Sequence, residues 1–372
     1  MRIVHVTDVY LPRLGGIETH VSGLAAHQGR AGHEVHVLTR ARGTAPRAAD
    51  GPFVHRAGRA ALREVLRAGR FDVVHVHVSV FSPMAMSLTA AACAQGIPVA
   101  VTAHSMWPDS PALVQPAGTG LRLARRPVAW SAVSQVAAGP LRRALGTGVL
   151  VDVVPNAVDV AWWRARPDGV LSSPYAGEVV VTSLGRLAAR KRPLALLRAL
   201  RTVRELVEPE VQLRLVLAGE GRQLPRLRRA VAAWGMTDWV DLPGRLSREQ
   251  SRELLQRSHV YVAPADLESF GIAALEARTV GLPVVAKAGS GVREYVDHGT
   301  EGLLVGSDHE MALAVAALVR DPALRTRIAA HNASVPPATT WPFAVDRTEQ
   351  LYRRAAALAG RQQPVLAMDA AS

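Results

Sequence analysis

Two glutamates eight positions apart, Glu268 and Glu276, bracket the run ESFGIAALE. Upstream, GRLAARKRP carries Arg186, Lys191 and Arg192. Cations fixed in this way stabilise negative charge as it develops on a departing diphosphate. Arg186 can hold two oxygens in its planar fork, and Lys191 offers a compact point charge. Arginine holds its proton too tightly to act as an acid, so the chemistry is electrostatic rather than proton-transferring. Glu276 sits among Ala273, Ala274, Leu275 and Ala277. A carboxylate in such surroundings wants a partner or a ligand, and two neighbouring hydroxyls, such as a ribose diol, would serve. The competing use of each glutamate is a charge near a helix N-terminus. Glu268 precedes that helix and can reach sugar hydroxyls.

Two further segments belong to the same set. AGEG, with Gly219 and Glu220, closes a predicted strand, and AGSGVREYV precedes a short helix. In the latter, Ser290 is a candidate donor to phosphate or sugar hydroxyl, and Glu294 a candidate cap for the helix after it. Near the N-terminus, Gly15 and Gly16 separate a strand from a helix, where close approach, positive φ and free amide groups suit an anion. The sequence there is not the GxGxxG dinucleotide fingerprint, and Arg40 stands where an acidic residue should end the second strand. This disfavours a nicotinamide enzyme, and the absence of a Walker motif disfavours an ATPase. His104 ends a strand in VTAHSMW and is a candidate cleft residue; a structural histidine is the alternative. His5, His75 and His77 read as packed or capping residues, not as a metal cluster by spacing.

The elements that must hold these residues alternate between strand and helix. Strands are predicted at 2–7, 34–40, 72–78, 98–103, 129–134 and 151–155, with helices at 17–30 and 83–95. After a Pro, Gly and Ser-rich linker at 159–176, the rhythm restarts. Strands are predicted at 179–183, 212–218, 239–242, 259–263, 283–286 and 302–305, and helices at 193–207, 224–234, 248–257 and 271–280. A last helix is expected over 343–359, with a poorly ordered tail after Gly360. This is an α/β chain of two parallel-sheet domains, near residues 1–165 and 170–340. Its last helix, 341–359, is free to pack back on the first domain. The candidate loops of the second domain then fall at the carboxyl ends of strands, where open parallel sheets bind ligands.

With 372 residues, the chain exceeds what one core usually serves. Its formal charge is +13, with 44 basic against 31 acidic residues, which favours anionic partners. Aromatic residues are only 5%, and no zinc-finger, helix-turn-helix or basic-aromatic pattern supports nucleic acid. A single cysteine, Cys93, permits no internal disulfide and suits a reducing cytoplasm. No secretory signal is read in MRIVHVTDVYLP, and no run reaches the roughly 18 to 20 apolar residues of a membrane span. Arg59, Arg63, Arg67 and Arg70 share one predicted helical face opposite Leu62, Val65 and Leu66. This face suits either an anionic membrane or plain solvation. Arg122, Arg125, Arg126, Arg142 and Arg143 add to the basic character.

Taken in order, PRLGGIETHV, PNAVD, GRLAARKRP and ESFGIAALEARTVGLPVVA resemble the motifs of family 4 of the retaining glycosyltransferases, over about residues 1–358. The resemblance implies the GT-B fold, two Rossmann-like domains facing each other across a cleft. It also implies sugar transfer from a UDP- or GDP-sugar to a hydroxyl acceptor with retained anomeric configuration. Residue by residue, it implies that Arg186 and Lys191 bind the diphosphate and Glu276 the ribose. Glu268, with Ser269, Phe270, Gly271 and Ile272, would hold the donor sugar or its phosphates. Gly16 would contact the donor phosphate, and His104 would lie near the transferred sugar. No cofactor or metal is expected, since no Asp-x-Asp pair is present. The acceptor would be a small molecule or lipid-linked, and the enzyme cytoplasmic, in contact at most peripherally with the inner membrane face. The oligomeric state is left open. Two positions depart from the family pattern: Ala157 replaces the hinge glycine, and GSGVRE replaces Gly-Gly-x-x-Glu. The rival expectations are a catalytically silent sugar-nucleotide-binding subunit and a GT-B epimerase.

Overall fold

The computed structural model describes residues 1–13, 15–43, 51–107, 125–146, 148–165 and 175–360. Arg122, the stretch of the expected linker at 166–174 and the tail after Gly360 lie outside these residues. The chain divides into two compact units. Unit 1 is Met1–Asn156 with the segment from Trp341 onward, and unit 2 is Ala157–Thr340.

In unit 1, β1 (Arg2–Thr7), β2 (Glu34–Thr39), β3 (Phe53–Arg56), β4 (Val73–Val78), β5 (Val99–Ala103), β6 (Val128–Ala132) and β7 (Val151–Val153) form one parallel sheet. Its order is β3-β2-β1-β4-β5-β6-β7. The inner strands are buried along almost their whole length because both faces are covered. The covering helices are α1 (Gly16–Arg30), α2 (Arg59–Ala68), α3 (Pro83–Ala94) and α4 (Gln135–Leu145). Strand β3 was not expected from the sequence. It lies at the sheet edge with Phe53 and Val54 exposed, so it lacks the buried apolar run that marks an inner strand.

In unit 2, α5 (Val160–Arg164) precedes β8 (Val179–Leu184), α6 (Pro193–Leu206), β9 (Leu213–Ala218) and α7 (Leu224–Ala233). Then come β10 (Val240–Asp241), α8 (Arg248–Gln256), β11 (Val260–Ala263), α9 (Ile272–Thr279) and β12 (Val284–Lys287). The unit closes with β13 (Gly302–Val305), α10 (Asp308–Arg320) and α11 (Pro322–Ser334). The sheet is parallel, in the order β10-β9-β8-β11-β12-β13. A core of Val181, Leu196, Leu200, Leu215, Val260, Val285 and Val315 binds helices to sheet.

Helix α5 corrects the linker expectation for residues 159–165. Asp159 caps it by accepting from Trp162 N at 3.0 Å. Trp163 is buried, and Arg164 donates to the carbonyls of Thr279 and Asn332. Arg248 and Arg252 stack over the Trp162 ring at 4.2 and 4.4 Å. Unit 2 therefore starts at Ala157, not near residue 170.

The last helix, α12 (Trp341–Gly360), belongs to unit 1. Leu351, Tyr352 and Ala355 pack on Ile3, Val73, Ala100 and Ala129. Among the described residues, no helix is long and apolar enough to cross a membrane.

Candidate functional site

Four loops of unit 2 leave the carboxyl ends of β8, β9, β11 and β12, and hydrogen bonds tie them together in pairs. Leu187 N donates to Glu220 O at 2.7 Å, and Gln223 N to Leu187 O at 3.0 Å. Gly219 has φ 145°, and a Cβ there would stand 1.8 Å from the Gly185 carbonyl oxygen. Only glycine lets the two loops touch. The second pair is closed by Gly291 N, which donates to Glu268 O at 2.8 Å. Gly271 has φ 86° and caps α9; a Cβ there would press on Val292 and on the Tyr295 hydroxyl. Tyr295 donates to the carbonyls of Phe270 and Gly271, holding the Phe-Gly turn in place. A salt bridge from Lys191 Nζ to Glu268 Oε2 joins one pair of loops to the other.

The candidate residues of unit 2 thus sit on one set of connected loops. Arg186 and Glu220 are exposed, Gly219 and Ser269 partly buried and Phe270 buried. Ile272 opens α9, and Glu276 follows on it. Burial pushes the Glu276 carboxyl up to about 8, against the pull of Arg248. At neutral pH this group is mostly protonated, poised to ionise when donors approach it.

Two sequence expectations change here, at Ser290 and Glu294. Arg192, the last cation of the GRLAARKRP turn, is held by partners within unit 2. It caps α6 in a left-handed conformation and pairs in bidentate fashion with Asp308, at 2.8 and 2.7 Å. Buried Lys287 reaches the same Asp308 at 2.7 Å, and Asp266 pairs with both cations. Sequence reasoning missed this network, because Lys287 ends β12 while Asp308 opens α10 just past β13, and the two meet only through the pairing of β12 with β13. Ser290 does not face a ligand: it is buried, donates to the Lys287 carbonyl and accepts from Val292 N. Glu294 does not start a helix. It ends the short 3-10 turn that Ser290 caps.

In unit 1, Gly15 is extended at φ −178° and caps α1, and Gly16 is its first helical residue. Positive φ is therefore not the reason for a glycine at position 15. A Cβ there would lie 2.5 Å from Oε2 of Glu18, whose buried carboxylate folds over the helix start. Glu18 also pairs with Arg13 at 3.2 Å. The basic face of α2 is less open than its spacing suggests. Arg67 pairs with Glu64, Arg63 donates to Ser87, and Arg70 leaves the helix in a left-handed conformation.

The histidines form a constellation that sequence spacing hides. Parallel register sets His5 beside His75 and Thr7 beside His77. The next strands continue the second row with Thr102 and Ser131. Side chains at alternate positions share a face, so these polar groups lie side by side under α1 and α12. His104, just past β5, is buried and bonds to His77, whose ring nitrogen lies 3.0 Å away. Nitrogens of His5, His75 and His77, and again of His20, His77 and His104, lie within 4.8 Å of one another.

A model of the group 1 glycosyl transferases matches residues 172–334, and a model of glycosyltransferase family 4 matches residues 14–162. Phosphatidyl-myo-inositol mannosyltransferase from Mycobacterium tuberculosis is 30% identical over 369 residues, covering 90% of this chain and 92% of the relative. D-inositol 3-phosphate glycosyltransferase from Pseudarthrobacter chlorophenolicus is 27% identical, covering 84% and 83%. Among solved structures, Anabaena HepE in complex with UDP and glucose shares the fold with a TM-score of 0.76 at 18% identity, covering 94% and 98%. The order of strands, the two parallel-sheet units and a relative at this identity along nearly the whole chain agree: the protein is a glycosyltransferase of family 4, with the two-domain GT-B fold.

Proposed function

We propose that the protein transfers a sugar from a UDP- or GDP-sugar to a hydroxyl acceptor with retention of configuration and without a metal. The observation that carries this is the bridge from Lys191 to Glu268 across the linked loops of unit 2. It sets a cation and a sugar-binding carboxylate side by side, with Arg186 exposed on the same loop as Lys191. Arg186 and Lys191 take the diphosphate, and Lys191 exchanges its carboxylate partner for phosphate oxygens. Ionised Glu276 accepts from the ribose hydroxyls. Glu268 and the backbone of 269–272 hold the donor sugar. As the bond from anomeric carbon to phosphate oxygen breaks, the acceptor oxygen bonds to that carbon on the same face and gives its proton to the leaving diphosphate, while the cations stabilise the charge the diphosphate gains.

The named relatives act on inositol phosphates and phosphatidylinositol, so a phosphorylated cyclitol, free or lipid-linked, is the acceptor class we favour. The arginine excess is consistent with an anionic acceptor. We further assign the protein to the cytoplasm, in contact at most peripherally with an anionic membrane face.

Calorimetry against UDP-, GDP-, ADP- and TDP-sugars tests the donor, and proton NMR of the product tests the anomeric outcome. Submicromolar to millimolar binding of one activated sugar and a retained anomer are expected. Absence of binding to any of them overturns the proposal.

A further inference from the structure

A continuous series of hydrogen bonds crosses unit 1 from β6 to His104, and its direction is set at one end. The Val101 carbonyl can only accept, so Ser131 Oγ donates to it at 3.3 Å. Ser131 must then accept from Thr102 Oγ1 at 2.7 Å. With its hydrogen used, Thr102 accepts from Nε2–H of His75 at 2.7 Å. Neutral His75 therefore has a bare Nδ1, which accepts from the Tyr352 hydroxyl at 2.9 Å. The Tyr352 oxygen accepts from the Gln28 amide at 3.0 Å.

That last bond orients Gln28. Its other atom, the carbonyl Oε1, faces Nε2 of His5 at 2.7 Å and can only accept. His5 therefore carries its proton on Nε2. Its Nδ1 accepts from Nε2–H of His77 at 2.9 Å, and Nδ1 of His77 accepts from Nε2–H of His104 at 3.0 Å. Each ring holds one proton, and each link forces the next. Burial keeps the rings neutral, pushing His5 down to about 4 and His104 to about 3.

We propose that Gln28 is a positioning residue that locks His104 as the neutral tautomer protonated on Nε2, so that Nδ1 of His104 only accepts. Any group that meets Nδ1 must then donate a hydrogen, as a sugar hydroxyl does and an ionised phosphate oxygen does not. The identity of that ligand rests on the transferase proposal; the tautomer does not. A metal is the direct competitor. His20 has neither ring nitrogen hydrogen-bonded among the described residues, and it converges with His77 and His104. A cation bound there would displace the Nε2 proton of His104.

Long-range proton–nitrogen NMR of the full chain, labelled with ¹⁵N-histidine, reads the tautomers directly. His104, His77 and His5 are expected as neutral Nε2–H forms at neutral pH. Gln28→Met should leave His104 exchanging between tautomers and lower kcat about tenfold, with KM for the acceptor little changed. Tyr352→Phe removes the acceptor that orients the Gln28 amide, and should release His75 and His104 together. A wild-type His104 protonated on Nδ1 or on both nitrogens overturns the proposal, and this spectrum needs no variant to fold. Unchanged His104 signals in Gln28→Met overturn it, as does one equivalent of zinc chloride displacing the proton. His5→Phe breaks the series one link later and repeats the test if Gln28→Met does not fold. UDP-glucose or GDP-mannose should move the Nδ1 resonance of His104, whereas UDP or GDP alone should not. Movement by the bare diphosphates overturns the hydroxyl assignment. Failure of calorimetry to detect any nucleotide or nucleotide sugar overturns the transferase proposal and the hydroxyl with it, and leaves the tautomer result to stand or fall on its own spectrum.

Discussion

Units 1 and 2 share an architecture and treat polarity in opposite ways. In unit 2, charged groups stand beyond the strand ends and are paired: Lys191 with Glu268, and Arg192 and Lys287 with Asp308. In unit 1, the polar groups lie on the sheet face itself, buried and neutral, and satisfy one another through His5, His75, His77 and His104. The partly exposed Lys191–Glu268 pair keeps more of its hydration than buried Lys287 does, so it is the pair a ligand can open. Uncharged donors and acceptors can be buried deeply, where their geometry becomes rigid. One unit gathers paired charges at its loops, and the other holds a fixed hydrogen-bonding pattern on its sheet.

Acid should separate the two most strongly. An imidazole whose folded pKa lies below its unfolded value binds protons first in the unfolded chain. Stability is complete above the unfolded value of 6.5 and lost as pH falls toward the folded value. For His5, lowered from 6.5 to about 4, this reaches at most about 3 kcal/mol, and its neighbours shift the same way. Native-state hydrogen exchange should therefore show the first sheet losing protection between pH 6.5 and 4 ahead of the second. Parallel loss in both sheets would erase the contrast. Next in size, Lys191→Ala should slow transfer about 10²- to 10³-fold with the thermal melt preserved. Unaltered kcat would remove its role on the diphosphate.

A smaller effect is expected at the turn that shapes unit 2. Gly271→Ala combines positive φ with contact on Val292 and Tyr295, and should cost about 1–3 kcal/mol in urea unfolding. No change in midpoint would mean that the turn relaxes freely. A last effect concerns Glu276, whose folded pKa of about 8 lies above its ordinary 4.5. Here the folded state holds the proton more firmly, so ligand-free stability falls as pH rises from about 4.5 to 8, opposite in sign to the histidines. Nucleoside diphosphate affinity should rise over the same upper range as the carboxylate forms. Glu276→Gln should flatten both slopes; calorimetric profiles that still rise in the variant would assign the slope elsewhere.

The contrast also explains what the sequence revealed. Unit 2's loops were legible because Arg186, Lys191, Glu268 and Glu276 are local: each lies within a few residues of the strand or helix that carries it. The strands themselves were legible from apolar runs such as 73–78. Edge strand β3 was not, since Phe53 and Val54 are solvent-facing. Nor was the histidine series, because neighbours in it come from β1, β4, α1 and α12, and only register joins them. Gln28 and Tyr352, 324 positions apart, bond directly. The ion network around Asp308 escaped notice for the same reason.

Helix α12 has a consequence for synthesis. The first sheet is translated early, yet its covering residues Leu351, Tyr352 and Ala355 emerge only after the whole of unit 2. A nascent chain can thus complete its second unit on the ribosome while the first still exposes the part of its sheet that α12 covers. That part needs chaperone shelter or transient collapse until residue 360 clears the exit tunnel. A premature stop before Trp341 would spare the later-made unit and orphan the earlier one.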